Sequence, residues 1–253
     1  MKPNKIREIV AGGGKVLNAW CSIPDAYVAE AIAHQGFDSV TIDLQHGAID
    51  YQSAFHMLQA ISTAPAVPLA RVPWNEPGIL MKLLDSGAYG IICPMINTAR
   101  EAAQFVGTCR YPPQGFRSYG PNRVVHYAGA DYAQNANAHV LLLAQIESRE
   151  AVENLEEILA VPGLDGVYVG PGDLSLSMGA PPSMAPTDPA VLAAIARVRE
   201  CTAKRGLIAG IHTDGPATVL KRYAEGFDLC SMQTDMRMLI DATKAAVGAV
   251  KGA

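Results

Sequence analysis

The sequence lacks clustered metal-binding residues and long apolar runs, and these absences exclude several classes of protein. Its five cysteines are an odd number and form no Cys-x-x-Cys pair, which excludes a zinc ribbon or a dithiol redox motif. No uncharged run approaches the roughly 18 residues of a membrane helix. Residues 1–11 are polar and lack the apolar core of a signal peptide. We therefore expect a soluble, cytoplasmic protein with buried thiols.

The sequence also has little that would bind nucleic acid or nucleotides. The formal net charge is −4, and lysines and arginines are scattered rather than grouped. The glycines at 12–14 lack the spacing of a dinucleotide-binding turn, and no Walker A, HExxH or GxSxG motif occurs. We expect no nucleic-acid partner and no membrane partner.

Short apolar, β-branched runs alternate with longer helical patterns along all 253 residues. Strands are predicted at 16–22, 38–43, 67–72, 89–94, 140–147, 165–170, 207–213 and 227–232. Helices are predicted at 25–35, 51–63, 76–86, 98–108, 149–160, 188–205, 214–225 and 235–250. Eight such units in about 250 residues predict an α/β fold, a (β/α)₈ TIM barrel forming one domain over 1–253. A doubly wound open sheet is the alternative. Residues 110–139 and 174–187 are predicted to be long loops, which usually carry function.

Two acidic residues follow consecutive predicted strands. Glu147 ends the apolar run of the fifth strand, and Asp173 lies just beyond the sixth. Active sites of such barrels lie at the C-terminal ends of the strands. Two carboxylates there, without grouped Cys or His, favour a hard divalent cation such as Mg²⁺ or Mn²⁺. Alternatively, Asp173 caps a helix and Glu147 begins one favourably with its dipole.

The other strand ends supply an arginine and a histidine. Arg71 can clamp a carboxylate or oppose charge that develops on an oxygen. His46 follows Asp43 by three residues, so it can act as general acid or base while the aspartate orients it. The plainer alternatives are a structural salt bridge for Arg71 and an ordinary loop histidine for His46.

Further polar residues at strand ends are Gln145, Gly172, His212 and Asp235, and the pattern assigns no role to the last two. No lysine lies in these segments except Lys15, which precedes the first strand. The sequence therefore disfavours a Schiff-base aldolase.

Six segments in order resemble the HpcH/HpaI family of class II, metal-dependent pyruvate aldolases, typified by 4-hydroxy-2-oxoheptanedioate aldolase. The similarity covers about residues 15–245. The matching segments are 42–47 (Ile-Asp-Leu-Gln-His-Gly), 71–77, 82–88, 110–117, 145–151 and 166–174.

The resemblance implies a divalent metal (Mg²⁺, Mn²⁺ or Co²⁺) on Glu147 and Asp173, with a 2-oxo acid chelating it. It implies that Arg71 stabilises the enolate, that His46 with Asp43 moves protons, and that Gln145 lines the metal site. Backbone N–H groups near Gly172 and Asp173 would hold the substrate carboxylate. It also implies a homohexamer, a dimer of trimers, whose last helix is exchanged between neighbours.

The sequence departs from the commoner family pattern at two loops. Gln45 stands where the type enzyme has an acidic residue, and 170–173 reads Gly-Pro-Gly-Asp rather than Gly-Pro-Ala-Asp. An Asp-Leu-Gln-His subgroup is similar to aldolases that also accept hydroxypyruvate. We expect reversible cleavage of 4-hydroxy-2-oxo acids to pyruvate or hydroxypyruvate and an aldehyde. A citrate-lyase-like CoA-thioester lyase, using Arg110, Arg117 and Arg123, and a non-catalytic barrel are the alternatives.

Overall fold

The strands close into a parallel barrel because apolar side chains cover both of their faces. The computed structural model describes residues 1–252, so residue 253 of the predicted domain lies outside it. Neighbouring strands pair in chain order, and the last pairs with the first. Within the described residues the strands are β1 (Val16–Cys21), β2 (Ser39–Asp43), β3 (Val67–Arg71), β4 (Gly90–Cys93), β5 (Leu141–Ile146), β6 (Gly166–Val169), β7 (Ile208–His212) and β8 (Leu229–Thr234). The predicted (β/α)₈ barrel is confirmed, and the open sheet is excluded.

Helices surround the barrel and connect its strands. Over residues 1–252 they are α1 (Lys5–Ala11), α2 (Ala26–Ala33), α3 (Tyr51–Ile61), α4 (Pro77–Asp85), α5 (Ala99–Cys109), α6 (Val124–Ala128), α7 (Tyr132–His139), α8 (Arg149–Glu153), α9 (Leu155–Leu159), α10 (Pro171–Ser177), α11 (Pro189–Lys204), α12 (Pro216–Glu225) and α13 (Asp235–Lys251). None of these helices combines the length and the apolar character that crossing a bilayer requires.

The helices differ from the sequence prediction at four places. No helix was predicted before residue 25, but α1 covers Lys5–Ala11. The predicted helix over 149–160 is interrupted at Asn154, whose side-chain amide donates to the carbonyl of Asn97 at 2.9 Å. The predicted loop at 110–139 contains α6 and α7. The predicted loop at 174–187 begins inside α10, which has Pro171 in its first turn, where the missing N–H is tolerated.

Two buried arginines and one half-buried arginine hold the segment between α5 and β5 against the barrel. Arg110 pairs with Asp165 at 2.7 Å, and Arg117 pairs with Asp85 at 2.6 Å. Arg123 donates to the carbonyl of Ser86 at 2.9 Å. The guanidinium groups of Arg110 and Arg117 are engaged within the protein, so these two residues are not available to the basic groove that the thioester-lyase alternative requires.

Asp235 fixes the start of α13 to the end of β1. Its carboxylate is buried and accepts from the backbone N–H groups of Ser22 (2.8 Å), Ile23 (3.1 Å) and Met236 (2.7 Å), and from the Ser22 hydroxyl. Asp235, which the sequence pattern left without a role, is therefore a structural anchor.

Asp235→Ala is expected to lower the free energy of unfolding by about 3 kcal/mol, because hydrogen bonds to a charged group are strong and the buried donors lose their acceptor. Urea unfolding at fixed protein concentration measures this change. Asp241→Ala is the control, since it removes an exposed ion pair with Arg237 on the same helix and should cost less than about 1 kcal/mol. Equal effects of the two substitutions would contradict the anchoring role.

Candidate active site

One cavity of about 350 Å³ lies at the C-terminal ends of the strands. It brings together six of the residues predicted for the site, namely Asp43, His46, Arg71, Gln145, Gly172 and Asp173. Glu147 does not line the cavity itself but lies directly behind Gln145, whose side-chain amide donates to its carboxylate. The C-terminal ends of the strands therefore bring the residues predicted for the site to one place.

Asp43 and Arg71 form a buried, two-point ion pair. The Arg71 Nε donates to Asp43 Oδ1 at 2.8 Å, and its terminal nitrogen donates to Oδ2 at 2.6 Å. Burial alone would raise the pKa of Asp43, but the hydrogen bonds and charge of Arg71 outweigh it and hold that pKa below its usual value. Both charges are thus present in the folded protein, and the guanidinium is held against the cavity wall.

The contact between Asp43 and His46 differs from the pairing that the sequence suggested. Asp43 Oδ1 accepts from the backbone N–H groups of Gln45 (3.0 Å) and His46 (3.3 Å), so the carboxylate fixes the loop and not the imidazole. The His46 side chain is exposed at the mouth of the cavity. The aspartate positions the histidine through its backbone, and the imidazole is free to meet a substrate or water.

Trp20, at the end of β1, connects several of these groups and was missed by the sequence analysis. Its indole N–H donates to Asp43 Oδ2 at 3.2 Å, and the Arg71 guanidinium lies 4.8 Å from its ring centre. Its ring also stacks on Tyr168 at 5.6 Å and meets His212 edge-on at 4.8 Å. Its position at a strand end was the available signal, but the prediction from strand ends covered polar residues only.

Glu147 is a buried carboxylate without a cationic partner. Its Oε1 accepts from the backbone N–H of Met95 at 2.8 Å, and Met95 adopts a left-handed conformation (φ 53°) that few non-glycine residues adopt. Burial and the nearby charge of Asp173 raise the pKa of Glu147 to about 7, against the opposing effect of the Met95 N–H. The predicted role as a helix start does not apply, because Ser148 caps α8.

Asp173 lies in the first turn of α10 and does not cap it. Gly170 occupies the capping position, and no side chain caps this helix. The Asp173 carboxylate is exposed to the cavity and is close enough to raise the pKa of Glu147. The two carboxylates therefore lie close to each other, as their positions after consecutive strands predicted.

The residues present fit a hard divalent cation. The carbonyl oxygen of the Gln145 side chain is buried without a hydrogen-bond partner, next to the Glu147 carboxylate. A cation between Glu147 and Asp173 would remove their mutual repulsion, and carboxylate and amide oxygens are the ligands that Mg²⁺ and Mn²⁺ prefer. Residues 1–252 contain no cluster of three or more His, Cys, Asp or Glu side chains placed to hold a metal. The remaining ligands would thus come from substrate and water.

Gly170 leaves the room that this arrangement needs. A Cβ there would lie 2.5 Å from Glu147 Oε2 and 2.8 Å from the Gln145 amide nitrogen. Gly170→Ala is therefore expected to displace both side chains and to lower kcat/KM by about 10²-fold, since small misplacements are costly in catalysis. Overpacking should cost only about 1–3 kcal/mol of stability.

Gly179→Ala is the control for Gly170→Ala, because a Cβ at Gly179 meets no atom within 4 Å although its φ of 86° adds backbone strain. Steady-state kinetics and urea unfolding of both variants separate loss of the site from loss of the fold. An unchanged kcat/KM in Gly170→Ala would contradict the role of this glycine.

Comparison with known proteins gives one family. The model of the HpcH/HpaI aldolase/citrate lyase family matches residues 17–242. The hydroxypyruvate/pyruvate aldolase of Rhizorhabdus wittichii is 41% identical over 244 residues, which covers 96% of this chain and 97% of that protein. The 4-hydroxy-2-oxo-heptane-1,7-dioate aldolase of Escherichia coli is 34% identical over 253 residues, covering 96% and 93%. A solved HpcH/HpaI aldolase/citrate lyase family protein from Burkholderia cenocepacia has a TM-score of 0.92 at 32% identity, covering 99% and 100%.

Proposed function

The chain belongs to the HpcH/HpaI aldolase/citrate lyase family and is a lyase of the aldolase type, and from this membership we propose that it is a divalent-metal-dependent 2-oxo acid aldolase. In this proposal it cleaves 4-hydroxy-2-oxo acids reversibly to pyruvate or hydroxypyruvate and an aldehyde. The observation that carries the proposal is the buried, cation-free Glu147 carboxylate beside Asp173 and the Gln145 oxygen. Burial disfavours the charged form of Glu147, and a cation bound between Glu147 and Asp173 would favour it.

A divalent cation (Mg²⁺, Mn²⁺ or Co²⁺) on Glu147 and Asp173 would supply Lewis-acid polarisation of the 2-oxo acid. Arg71 opposes the negative charge that collects on the keto oxygen when the bond between C3 and C4 breaks. Its ion pair with Asp43 and its contact with Trp20 fix it in that orientation. The backbone N–H groups of Gly172 and Asp173 would meet the substrate carboxylate.

His46 would move the proton of the reaction. In cleavage, the C4 hydroxyl loses its proton to the imidazole, directly or through water, as the C3–C4 electron pair passes to the 2-oxo acid and the aldehyde leaves. A proton then returns to C3 and completes pyruvate. The exposed imidazole at the cavity mouth suits this exchange with solvent.

Similarity supports the choice of 2-oxo acid. The relative that is 41% identical is a hydroxypyruvate/pyruvate aldolase, and the one that is 34% identical acts on 4-hydroxy-2-oxo-heptane-1,7-dioate. We therefore propose that pyruvate and hydroxypyruvate both serve as nucleophile.

The test is to mix purified protein with a 4-hydroxy-2-oxo acid and Mg²⁺ or Mn²⁺ and to follow pyruvate. We expect pyruvate release that EDTA stops and that added Mn²⁺ restores. Undiminished release in EDTA would overturn the metal-dependent mechanism, and no release with any 4-hydroxy-2-oxo acid would overturn the aldolase.

Oligomerisation through the last helix is part of the proposal. Among the residues of α13, Asp235 is buried, while Leu239 and Val250 are 54% and 80% exposed. A helix with this apolar face needs cover, which supports association with another copy of the chain. From the family resemblance we propose that the assembly is a homohexamer, a dimer of trimers, with the helix exchanged between neighbours. Light scattering is expected to give about six chains per particle; a monomer would contradict it.

We also propose that residues 1–253 form a single domain that works in the cytoplasm. The five cysteines are all free, which suits a reducing compartment.

A further inference from the structure

His212 stands where the catalytic cavity opens into a second cleft. The cavity that holds Arg71 and Asp173 shares His212, Met184 and Thr234 with a neighbouring cleft of about 520 Å³. On the proposed function, the 2-oxo acid occupies the side of Arg71 and Asp173. The aldehyde portion would then extend towards His212.

The second cleft has a polar wall. Apart from Met184, it is lined by His212, Thr213, Asp214, Gln233, Thr234, Arg237 and Asp241. Seven of the eight lining residues carry a polar or charged group, so the cleft offers hydrogen-bond partners to a ligand that carries hydroxyl groups.

A buried hydrogen-bond network determines which nitrogen of His212 carries the proton. Asn18 lies at its centre, with its carbonyl oxygen accepting from the hydroxyls of Ser39 (2.7 Å) and Thr41 (3.1 Å) and its amide donating to Ser231 Oγ at 2.8 Å. Tyr168 also donates to Ser231 Oγ, at 2.6 Å. All of these groups lie in the barrel interior and are buried.

The last link of the network is the contact between Tyr168 Oη and His212 Nδ1, at 3.1 Å. A hydroxyl has one proton, and Tyr168 gives that proton to Ser231, so the proton of this contact must belong to Nδ1. The neutral imidazole then has an unprotonated Nε2. Burial, with the nearby charge of Arg71, lowers the pKa of His212 to about 4, so the ring stays neutral at neutral pH.

We propose that His212 is a specificity-determining residue whose Nε2 accepts a hydrogen bond from a hydroxyl of the aldehyde, so that the enzyme favours hydroxylated aldehydes over alkyl aldehydes. The inference rests on the proposed function. The neutral imidazole can accept a hydrogen bond only through Nε2, and an alkyl group of the substrate has no donor for it. A site that offers a fixed polar partner discriminates against a substrate that lacks the matching group.

The test compares two aldehydes of nearly equal size, glycolaldehyde and propionaldehyde, with pyruvate as nucleophile and Mn²⁺ present. The measured quantity is the ratio of their kcat/KM values. The parent enzyme is expected to favour glycolaldehyde, and His212→Leu is expected to lower the ratio about tenfold, the cost of one hydrogen bond at a polar site.

Two polar variants distinguish the loss of the Nε2 hydrogen-bond acceptor from a structural effect of the substitution. In His212→Asn the short amide can replace Nδ1 towards Tyr168 but offers no acceptor at the position of Nε2, so the ratio should fall as in His212→Leu. In His212→Gln the longer amide can place its oxygen there, so most of the ratio should be retained. His34→Leu, at the exposed histidine that directly follows α2, is the control and should leave the ratio unchanged.

Deuterium exchange of the pyruvate methyl group, followed by NMR in D₂O, tests the proposed function without an aldehyde. The inference is supported if the parent exchanges the methyl protons and if the kcat/KM ratio of the two aldehydes falls in His212→Leu and His212→Asn but is kept in His212→Gln. If the parent exchanges the methyl protons but no variant alters the kcat/KM ratio of the two aldehydes, the role of His212 is overturned and the aldolase proposal stands. The same conclusion follows if His212→Gln and His212→Asn alter that ratio equally. Absence of exchange in the parent overturns both.

Discussion

Glu147→Gln is expected to lower kcat/KM by about 10³-fold or more while the metal-free protein stays as stable as the parent at pH 8. The substitution keeps size and an acceptor for the Met95 N–H, and the Gln145 amide can turn so that its unpartnered oxygen accepts from the new amide. It removes only the charge on which cation binding depends. The size of the effect follows the loss of a group that stabilises developing charge.

The stability part of this prediction follows from the direction of the pKa shift. A carboxyl whose folded pKa is raised from 4.5 to about 7 contributes its full stability only below pH 4.5, and loses it as pH rises through 7. At pH 8 the parent carries the unfavourable buried charge and the glutamine variant does not. Urea unfolding in EDTA should show no loss of stability in the variant.

Metal binding gives a measurement that is independent of turnover. Mn²⁺ should raise the melting temperature of the parent, because it binds only the folded state, and should not raise that of Glu147→Gln. Equal stabilisation of both proteins by Mn²⁺ would place the cation elsewhere and contradict the assignment.

Arg71→Lys is expected to lower kcat/KM by about 10²- to 10³-fold, the usual cost of removing a donor aimed at developing charge. Lysine keeps the positive charge, but a single ammonium cannot bind Asp43 at two points and also face the cavity. Steady-state kinetics measure the loss, and a change below about threefold would reduce Arg71 to a structural salt bridge.

Arg71→Ala separates the two roles of this arginine. It leaves the buried Asp43 charge without a partner and should destabilise the fold by about 3–5 kcal/mol. A double variant with Asp43→Asn should recover much of that stability, because the unpaired charge is gone, but none of the activity. Recovery of activity in the double variant would contradict a catalytic role for the guanidinium.

The barrel fold could be predicted from the sequence, and so could the position of the site residues at one rim of the barrel. Apolar strands of regular spacing have few ways to bury both faces, so all eight lie within two residues of their predicted ends. Parallel strands bring their C-terminal ends to one rim, and this places Arg71, Gln145 and Asp173 around one cavity without knowledge of the loops.

The partners of those residues were not predictable, because contacts between distant residues and loop turns decide them. Asp43 accepts from the N–H two residues later, a local turn that directs its carboxylate to the backbone of the loop and to Arg71, and not to the His46 ring. The sequence pattern around Trp20 indicates only a core residue of a strand, and its contact with Asp43 in the structure shows that it belongs to the site. The hydrogen-bond network that ends at His212 joins residues of five strands, so no local sequence pattern reveals it.

The role of Glu147 in a cation-dependent aldolase is tested most directly by the exchange of the pyruvate methyl protons in D₂O, compared between the parent and Glu147→Gln. This measurement reports proton loss from the 2-oxo acid alone, without any aldehyde. We expect exchange by the parent that depends on Mn²⁺, stops in EDTA and is lost in Glu147→Gln. Exchange that persists in EDTA, or that Glu147→Gln retains in full, would contradict it.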